Sequence, residues 1–224
     1  AACNYACNYC VPKGKQLHRA RHELNVTQFL TALDYLIEVA GIDKLRITGG
    51  EPLLSPQFDD FLLGAMQRPL KDVSITTNGQ FLLQKMPVIK AAGIQRMNVS
   101  LDTLHPVMFQ KICRSGDLQI VLAGIDALLD AGIKVKINMV PMRTQNEDQI
   151  VPLLDYCLER GIELRYIELM RMGHWQHNAD YSREMVPMSR ILSLISQRYD
   201  YLRTSAEFDA TAARFEIPGK GFFG

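Results

Sequence analysis

Ala131-Gly132-Ile133-Lys134-Val135-Lys136-Ile137-Asn138-Met139-Val140 reads as the end of a helix, a turn and the start of a strand. Glycine supplies the left-handed residue just past a helix, and the isoleucine after it opens an apolar, β-branched run. Closely related words recur at Ala40-Gly41-Ile42, Ala92-Gly93-Ile94 and Arg160-Gly161-Ile162. A helical pattern precedes each one. Asn25 and Gln28 resemble a capping box ahead of the single apolar face of Phe29, Leu30, Leu33, Leu36 and Ile37. Ser55-Pro56 reads as N-cap and first residue of a helix reaching Met66, and further helices are predicted around Gln84–Ala92, Gln119–Ala131 and Glu147–Arg160. The predicted strands are Lys44–Thr48, Asp72–Thr77, Arg96–Leu101, Lys134–Val140 and Leu164–Met170, mostly apolar as in parallel sheets covered on both faces.

Such repetition gives a doubly wound sheet or a barrel. Five strands, with one more expected ahead of Cys3, are too few to close an eight-stranded barrel. The predicted fold class is therefore α/β, a partial (β/α)6 TIM-like barrel spanning residues 1–173, its first strand missing because the sequence starts at Ala1. Residues 174–224 read as the start of a C-terminal extension. His174–Pro187 is polar and irregular, Met188–Arg198 is an amphipathic helix, and Tyr199–Gly224 has room for one or two strands.

Composition sets outer bounds. The 224 residues are 47% hydrophobic and 22% charged with a formal charge of +1, so nothing global favours nucleic acid or an anionic membrane as partner. Any anionic ligand must be met by locally placed cations. No membrane span or signal peptide is visible. Three of the five cysteines are clustered and two are isolated, which argues against a disulfide framework and for a reducing, cytoplasmic setting.

The cluster is Cys3-Asn4-Tyr5-Ala6-Cys7-Asn8-Tyr9-Cys10, spaced C-x3-C-x2-C. Three soft thiolates on one loop suit iron–sulfur ligation, or zinc in a site completed from elsewhere. A structural zinc needs a fourth ligand, and the nearest histidine is His18. Without iron the exposed thiols have little else to hold them, so the loop is expected to be mobile. Cys113 and Cys157 are not expected to be ligands.

Other informative words lie at strand ends, where parallel α/β folds bind ligands. Thr48-Gly49-Gly50-Glu51-Pro52 lets backbone approach a ligand closely. Thr76-Thr77-Asn78-Gly79 and Ser100-Leu101-Asp102 present hydroxyls able to bind a ribose or amino acid, although the same residues also make turns and caps. Lys136 and Arg46 interrupt apolar strands, and a cation facing a lumen must meet an anion. Lys136 turned outward is the other option, since strand faces alternate. Arg165 and Met170 come from the last strand, where Met170 by itself would be core packing.

Taken together, these words resemble the radical S-adenosylmethionine (SAM) enzymes, and within them the MoaA family of GTP 3′,8-cyclases that begins molybdenum-cofactor (molybdopterin) synthesis. The likeness rests on Cys3–Pro12, Leu45-Arg46-Ile47-Thr48-Gly49-Gly50-Glu51-Pro52, Thr76–Gly79 and Asn98–Leu104. It continues through Val135-Lys136-Ile137-Asn138, Met142-Arg143 and Leu164-Arg165-Tyr166-Ile167-Glu168-Leu169-Met170. The resemblance implies that Cys3, Cys7 and Cys10 hold a [4Fe–4S] cluster and that Tyr9, Gly50, Ser100 and Met170 contact SAM. It assigns Arg46, Thr77 and Lys136 to GTP. It also implies that no side chain is a catalytic residue in its own right. A 5′-deoxyadenosyl radical, made from SAM at the cluster, removes the C3′ hydrogen of GTP, and the ribose carbon attacks guanine C8. The family further implies a second, C-terminal [4Fe–4S] cluster, for which no cysteine follows Cys157. The partners implied are GTP, a reductant protein, a downstream pterin-forming synthase and, as one option, a second copy in a homodimer. Two other readings stay open on the residues: a radical SAM enzyme acting on a peptide or another small molecule, and a non-catalytic metal-binding relative.

Overall fold

A computed structural model describes residues 2–12, 24–204 and 213–224; His18 lies outside them. Its principal elements are α1 (Val26–Ala40), β1 (Lys44–Ile47), α2 (Phe58–Ala65), β2 (Asp72–Thr77), α3 (Leu82–Ala91) and β3 (Arg96–Ser100). They continue with α4 (Pro106–Cys113), α5 (Leu118–Asp130), β4 (Lys134–Met139), α6 (Ile150–Glu159) and β5 (Glu163–Tyr166). The last are α7 (Tyr181–Glu184), α8 (Met188–Ile195), β6 (Leu202–Arg203), β7 (Phe215–Ile217) and β8 (Gly221–Phe223). The residues fall into two compact units: Ala1–Ala6, Lys15–Val99 and Ser115–Val135 in the first, and Cys7–Gly14, Ser100–Arg114 and Lys136–Gly224 in the second.

In the first unit β1, β2 and β3 run parallel, with Lys44 beside Asp72, Arg46 beside Ser74, and Thr76 beside Asn98. Because strand side chains alternate, one face carries Ile47, Val73, Ile75, Met97 and Val99, all buried. The helices supply Leu62, Leu82, Ile89, Val121, Ile125 and Leu128 to the same core. Packing is close: a Cβ on Gly64 would meet Leu30 Cδ1 at 2.6 Å, and one on Gly124 would meet Leu82 Cβ at 2.8 Å. The opposite face of the three strands is polar, with Lys44, Arg46, Asp72, Ser74, Thr76, Arg96 and Asn98. A sheet buried among helices on both sides would be apolar on both, so this face was built for something polar.

The second unit repeats the theme. β4 and β5 pair in parallel with Lys136 beside Glu163 and Asn138 beside Arg165, while Val135, Ile137, Met139 and Leu164 are buried. β8 extends β5 in parallel, and β7 and β6 follow it antiparallel. Phe223 is completely buried; its ring stacks on Phe215 at 5.1 Å and meets Tyr166 edge-on at 6.4 Å.

Gly41, Gly93, Gly132 and Gly161 all adopt left-handed φ, between 64° and 73°, and a Cβ would touch nothing within 4 Å at any of them. Conformation alone therefore requires glycine there. The Asn25–Gln28 capping box is present in both directions.

Elsewhere local patterns misplaced the boundaries. α2 starts at Phe58 and not at Pro56, because the chain first makes a separate turn, Pro52–Leu54, capped by the Glu51 side chain. Ser55 Oγ accepts only the Gln57 amide, at 3.3 Å. β5 ends at Tyr166, four residues short of Met170, and α8 ends at Ile195. The helix α4, opened by Pro106 after His105, was not foreseen.

Candidate functional site

In the first unit, the turn after β1 and the turn after β2 are joined by one side chain. Glu51, 3% exposed, accepts hydrogen bonds from Thr77 Oγ1 at 2.7 Å, the Asn78 amide at 2.7 Å and the Leu53 amide at 3.0 Å. Burial pushes its pKa above the ordinary carboxylate value, opposed by those three donors. Asn78 carries the linkage onward: its side-chain amide donates to Asn4 Oδ1 at 2.8 Å and lies 3.9 Å from Cys3 Sγ. Gly50 completes the arrangement. A Cβ there would sit 2.1 Å from the Ala2 carbonyl oxygen, the same oxygen that accepts the Glu51 amide at 2.8 Å. Glycine at position 50 is thus a matter of space, since backbone passes directly over it. Spacing singled out Gly50 and Thr77; it passed over Glu51, whose role depends on partners distant in sequence.

The cations of the polar face are matched within the protein. Arg46 Nη2 lies 2.7 Å from Asp72 Oδ2, and Arg96 also grips Asp72, with Nε at 2.7 Å from Oδ1. The two guanidiniums hold the Asp72 carboxyl down at about 2, Arg96 contributing most. The Arg46 side chain is 46% exposed, and β1 ends its unit's strand order.

In the second unit Lys136 does meet an anion, and that anion is Glu163 at 2.7 Å. Arg165 and Arg214 approach the same carboxylate, each at 3.2 Å. Burial pushes the Lys136 ammonium below its usual pKa, opposed by the Glu163 hydrogen bond. By strand alternation Lys136 shares a face with Lys134 and Asn138, opposite the buried Val135, Ile137 and Met139. Met170 is 58% exposed, which rules out core packing.

The second unit also holds most of the cysteine loop. The amides of Cys10 and Val11 both donate to the Cys7 carbonyl at 2.9 Å, closing a turn between two of the three thiols. The Asn8 amide donates to the Ile112 carbonyl at 3.0 Å, and Arg114 Nη1 donates to the Val11 carbonyl at 3.2 Å. The Asn8 side chain bonds Gln145, Trp175 Nε1 donates to the Tyr9 carbonyl at 3.1 Å, and His174 Nε2 lies 3.0 Å from the Asn8 carbonyl. Distant segments thus hydrogen-bond the backbone of this loop. Tyr9 hydrogen-bonds the buried Asp102 carboxyl, which also accepts the Val140 amide at 2.9 Å. Burial raises Asp102 to about 6 and, with Asp102 beside it, lifts the Tyr9 phenol well above its usual value. Ser100 lies two residues before Asp102, at the end of β3.

None of the five cysteines is in a disulfide: Cys3 and Cys7 are half-buried, Cys10 is exposed, and Cys113 and Cys157 are buried. Among the described residues no three His, Cys, Asp or Glu side chains form a ready-made metal site. The donor set nevertheless suits an iron–sulfur cluster: three thiols at C-x3-C-x2-C, none of them in a disulfide, on hydrogen-bonded backbone.

Comparison with known proteins decides the family. Residues 1–157 match the radical SAM superfamily. The GTP 3′,8-cyclase of Hydrogenovibrio crunogenus is 34% identical over 224 residues, covering 97% of this chain and 67% of that protein. The chain belongs to the GTP 3′,8-cyclase family of radical SAM enzymes. Another family member, the GTP 3′,8-cyclase of Listeria welshimeri, is 35% identical over 99% of this chain and 68% of its own length. SuiB of Streptococcus suis, solved with its precursor peptide SuiA, superposes with a TM-score of 0.69 at 18% identity, over 88% of this chain and 43% of SuiB. That likeness shows the fold, an open α/β barrel of the radical SAM type with its strands mostly parallel. The radical SAM family implies SAM and a [4Fe–4S] cluster as cofactors.

Proposed function

We propose that this chain forms the barrel of a GTP 3′,8-cyclase, converting GTP to (8S)-3′,8-cyclo-7,8-dihydroguanosine 5′-triphosphate on the way to molybdopterin. One observation carries the reading: identity of about one third to curated cyclases extends over 97% of the chain, well past residue 157 where the general radical SAM match stops. An enzyme sharing only the generic core would lose its likeness at that point. The peptide-bound SuiB, at 18% identity, shares the fold alone.

Cys3, Cys7 and Cys10 would hold the cluster, which with SAM supplies the radical that removes hydrogen from the substrate ribose. The chain's own residues bind and orient. Gly50 lets backbone pass close to the bound methionine end of SAM, while Tyr9, Ser100 and Met170 complete the SAM contacts. Glu51 and the Gly79 amide hold the Thr77 hydroxyl, and Glu51 also holds the Asn78 amide, so the turn that would meet GTP is already fixed. Arg46 and Lys136 face the triphosphate, exchanging part of their bonding to Asp72 and Glu163 for phosphate oxygens. Because Asp72 keeps Arg96, and Glu163 keeps Arg165 and Arg214, neither carboxylate would be stranded by that exchange. The family's second cluster, for which no cysteine follows Cys157, would serve the guanine end. A reductant protein, a pterin-forming synthase that takes the product, a cytoplasmic setting and assembly as a homodimer belong to the same reading. No described helix is long and apolar enough to cross a membrane.

The test is anaerobic reconstitution with iron and sulfide, followed by SAM, reductant and GTP. Formation of the cyclised nucleotide with 5′-deoxyadenosine, by a protein that includes the second-cluster segment, is the expected result. Deoxyadenosine with no GTP-derived product, across a range of GTP concentrations, would refute the substrate. No deoxyadenosine from an intact cluster would leave a metal-binding relative.

A further inference from the structure

The segment after β5 was expected to start an extension, yet two of its residues end on the cysteine loop. His174 and Trp175, consecutive in a short turn at Gly173–Trp175, contact the carbonyls of Asn8 and Tyr9, which are also consecutive. Those carbonyls lie between Cys7 and Cys10 in the sequence. Indole nitrogen is a donor only, so the Trp175 bond has one polarity. The imidazole nitrogen facing a carbonyl must carry hydrogen, which places a His174 proton on Nε2. His174 Nδ1 is buried without a partner, so the ring is held there by its single Nε2 bond and by the Trp175 ring at 5.1 Å. Trp175 is 6% exposed and is the only tryptophan in the chain.

Two cysteines separated by two residues can present their thiols in many directions. With both intervening carbonyls bonded, rotation of the peptide units between Cys7 and Cys10 breaks a buried hydrogen bond. Ordering the loop in advance lowers the entropic cost of binding. We infer that His174 and Trp175 are positioning residues that latch the Asn8–Tyr9 backbone, and thereby set the directions of Cys7 and Cys10 before iron arrives. This rests on the reading of those cysteines as cluster ligands. Neither residue touches the reacting atoms.

The test separates the latch from that reading. Hydrogen–deuterium exchange on the metal-free full chain measures the amides of Asn8, Cys10 and Val11, with β4 and β5 as internal reference. Trp175→Phe keeps the packing and deletes the N–H; it is expected to speed loop exchange about tenfold and leave the strands unchanged. His174→Ala should act likewise, and His174→Gln, which retains a donor, should restore protection. In reconstituted protein the same two impaired variants should surrender iron faster to a chelator. Unchanged loop exchange in Trp175→Phe and His174→Ala, or a uniform rise across the whole second unit, would overturn the latch. Failure of the wild-type chain to take up a cluster would instead defeat the ligand reading, while the exchange data still decide the latch.

Discussion

The Glu51 carboxylate accepts the Asn78 amide at 2.7 Å, joining turns that lie 27 positions apart. One oxygen serves Asn78 while the other serves Thr77 and Leu53, so each face of the carboxylate meets only donors. Glu51→Gln would point an amide N–H at one of them. The expected cost is about 2 kcal/mol, lowering Tm by roughly 4–8 °C in thermal unfolding of the metal-free protein. An unchanged Tm would mean the three donors find other partners.

Asp102 makes stability depend on pH with a definite sign. Its folded pKa, about 6, lies above the ordinary value of 3.8, so the folded state binds the proton more tightly than the unfolded one. Its contribution is fully present below the unfolded pKa and is lost as pH rises through about 6. Urea midpoints of the wild type relative to Asp102→Asn should therefore decline from pH 4 towards pH 7. A flat difference across that window would contradict the assignment.

Gly50→Ala probes space and nothing else, because no left-handed conformation is required at that position. The added carbon meets the Ala2 carbonyl oxygen at 2.1 Å, so the segment carrying Cys3 must move. Calorimetric titration of reconstituted protein should show SAM binding weakened by at least about tenfold, equivalent to roughly 1.4 kcal/mol. Wild-type affinity in Gly50→Ala would show that the cofactor does not depend on this close approach.

Lys136→Ala should leave the fold intact, since Glu163 keeps Arg165 and Arg214. If Lys136 meets the triphosphate, losing one charge-assisted contact weakens GTP binding by about ten- to a hundredfold. Equal affinity for GTP in the wild type and the variant would remove Lys136 from the substrate site.

What could be read from sequence was what neighbouring residues determine. The four left-handed glycines and the Asn25 capping box depend on a few adjacent positions, and they locate the βα repeats. The C-x3-C-x2-C loop and the Gly49-Gly50 turn were legible for the same reason. Glu51 looked like a local cap for the Leu53 amide, because its other two donors, Thr77 and Asn78, are revealed only when β1 and β2 lie side by side. His174 and Trp175 were hidden more deeply, their partners being 166 positions away. Arg46 interrupts an apolar run, and its anion, Asp72, comes from the neighbouring strand, a pairing no local pattern shows. The start of α2 slipped because Pro52 and Pro56 both fit a helix opening, and the Glu51 side chain chose the first for a separate turn.

The burial of Cys113 and Cys157 gives the chain a simple chemical readout. Both sulfurs are shielded from reagents, at 5% and 0% exposure, and burial holds the Cys157 thiol far above its usual pKa and so unreactive. A gentle alkylating agent applied to the folded protein should thus modify only the remaining three. Mass spectrometry would then register an empty loop as adducts and a filled one as their absence, with two silent thiols turning reactive only on unfolding.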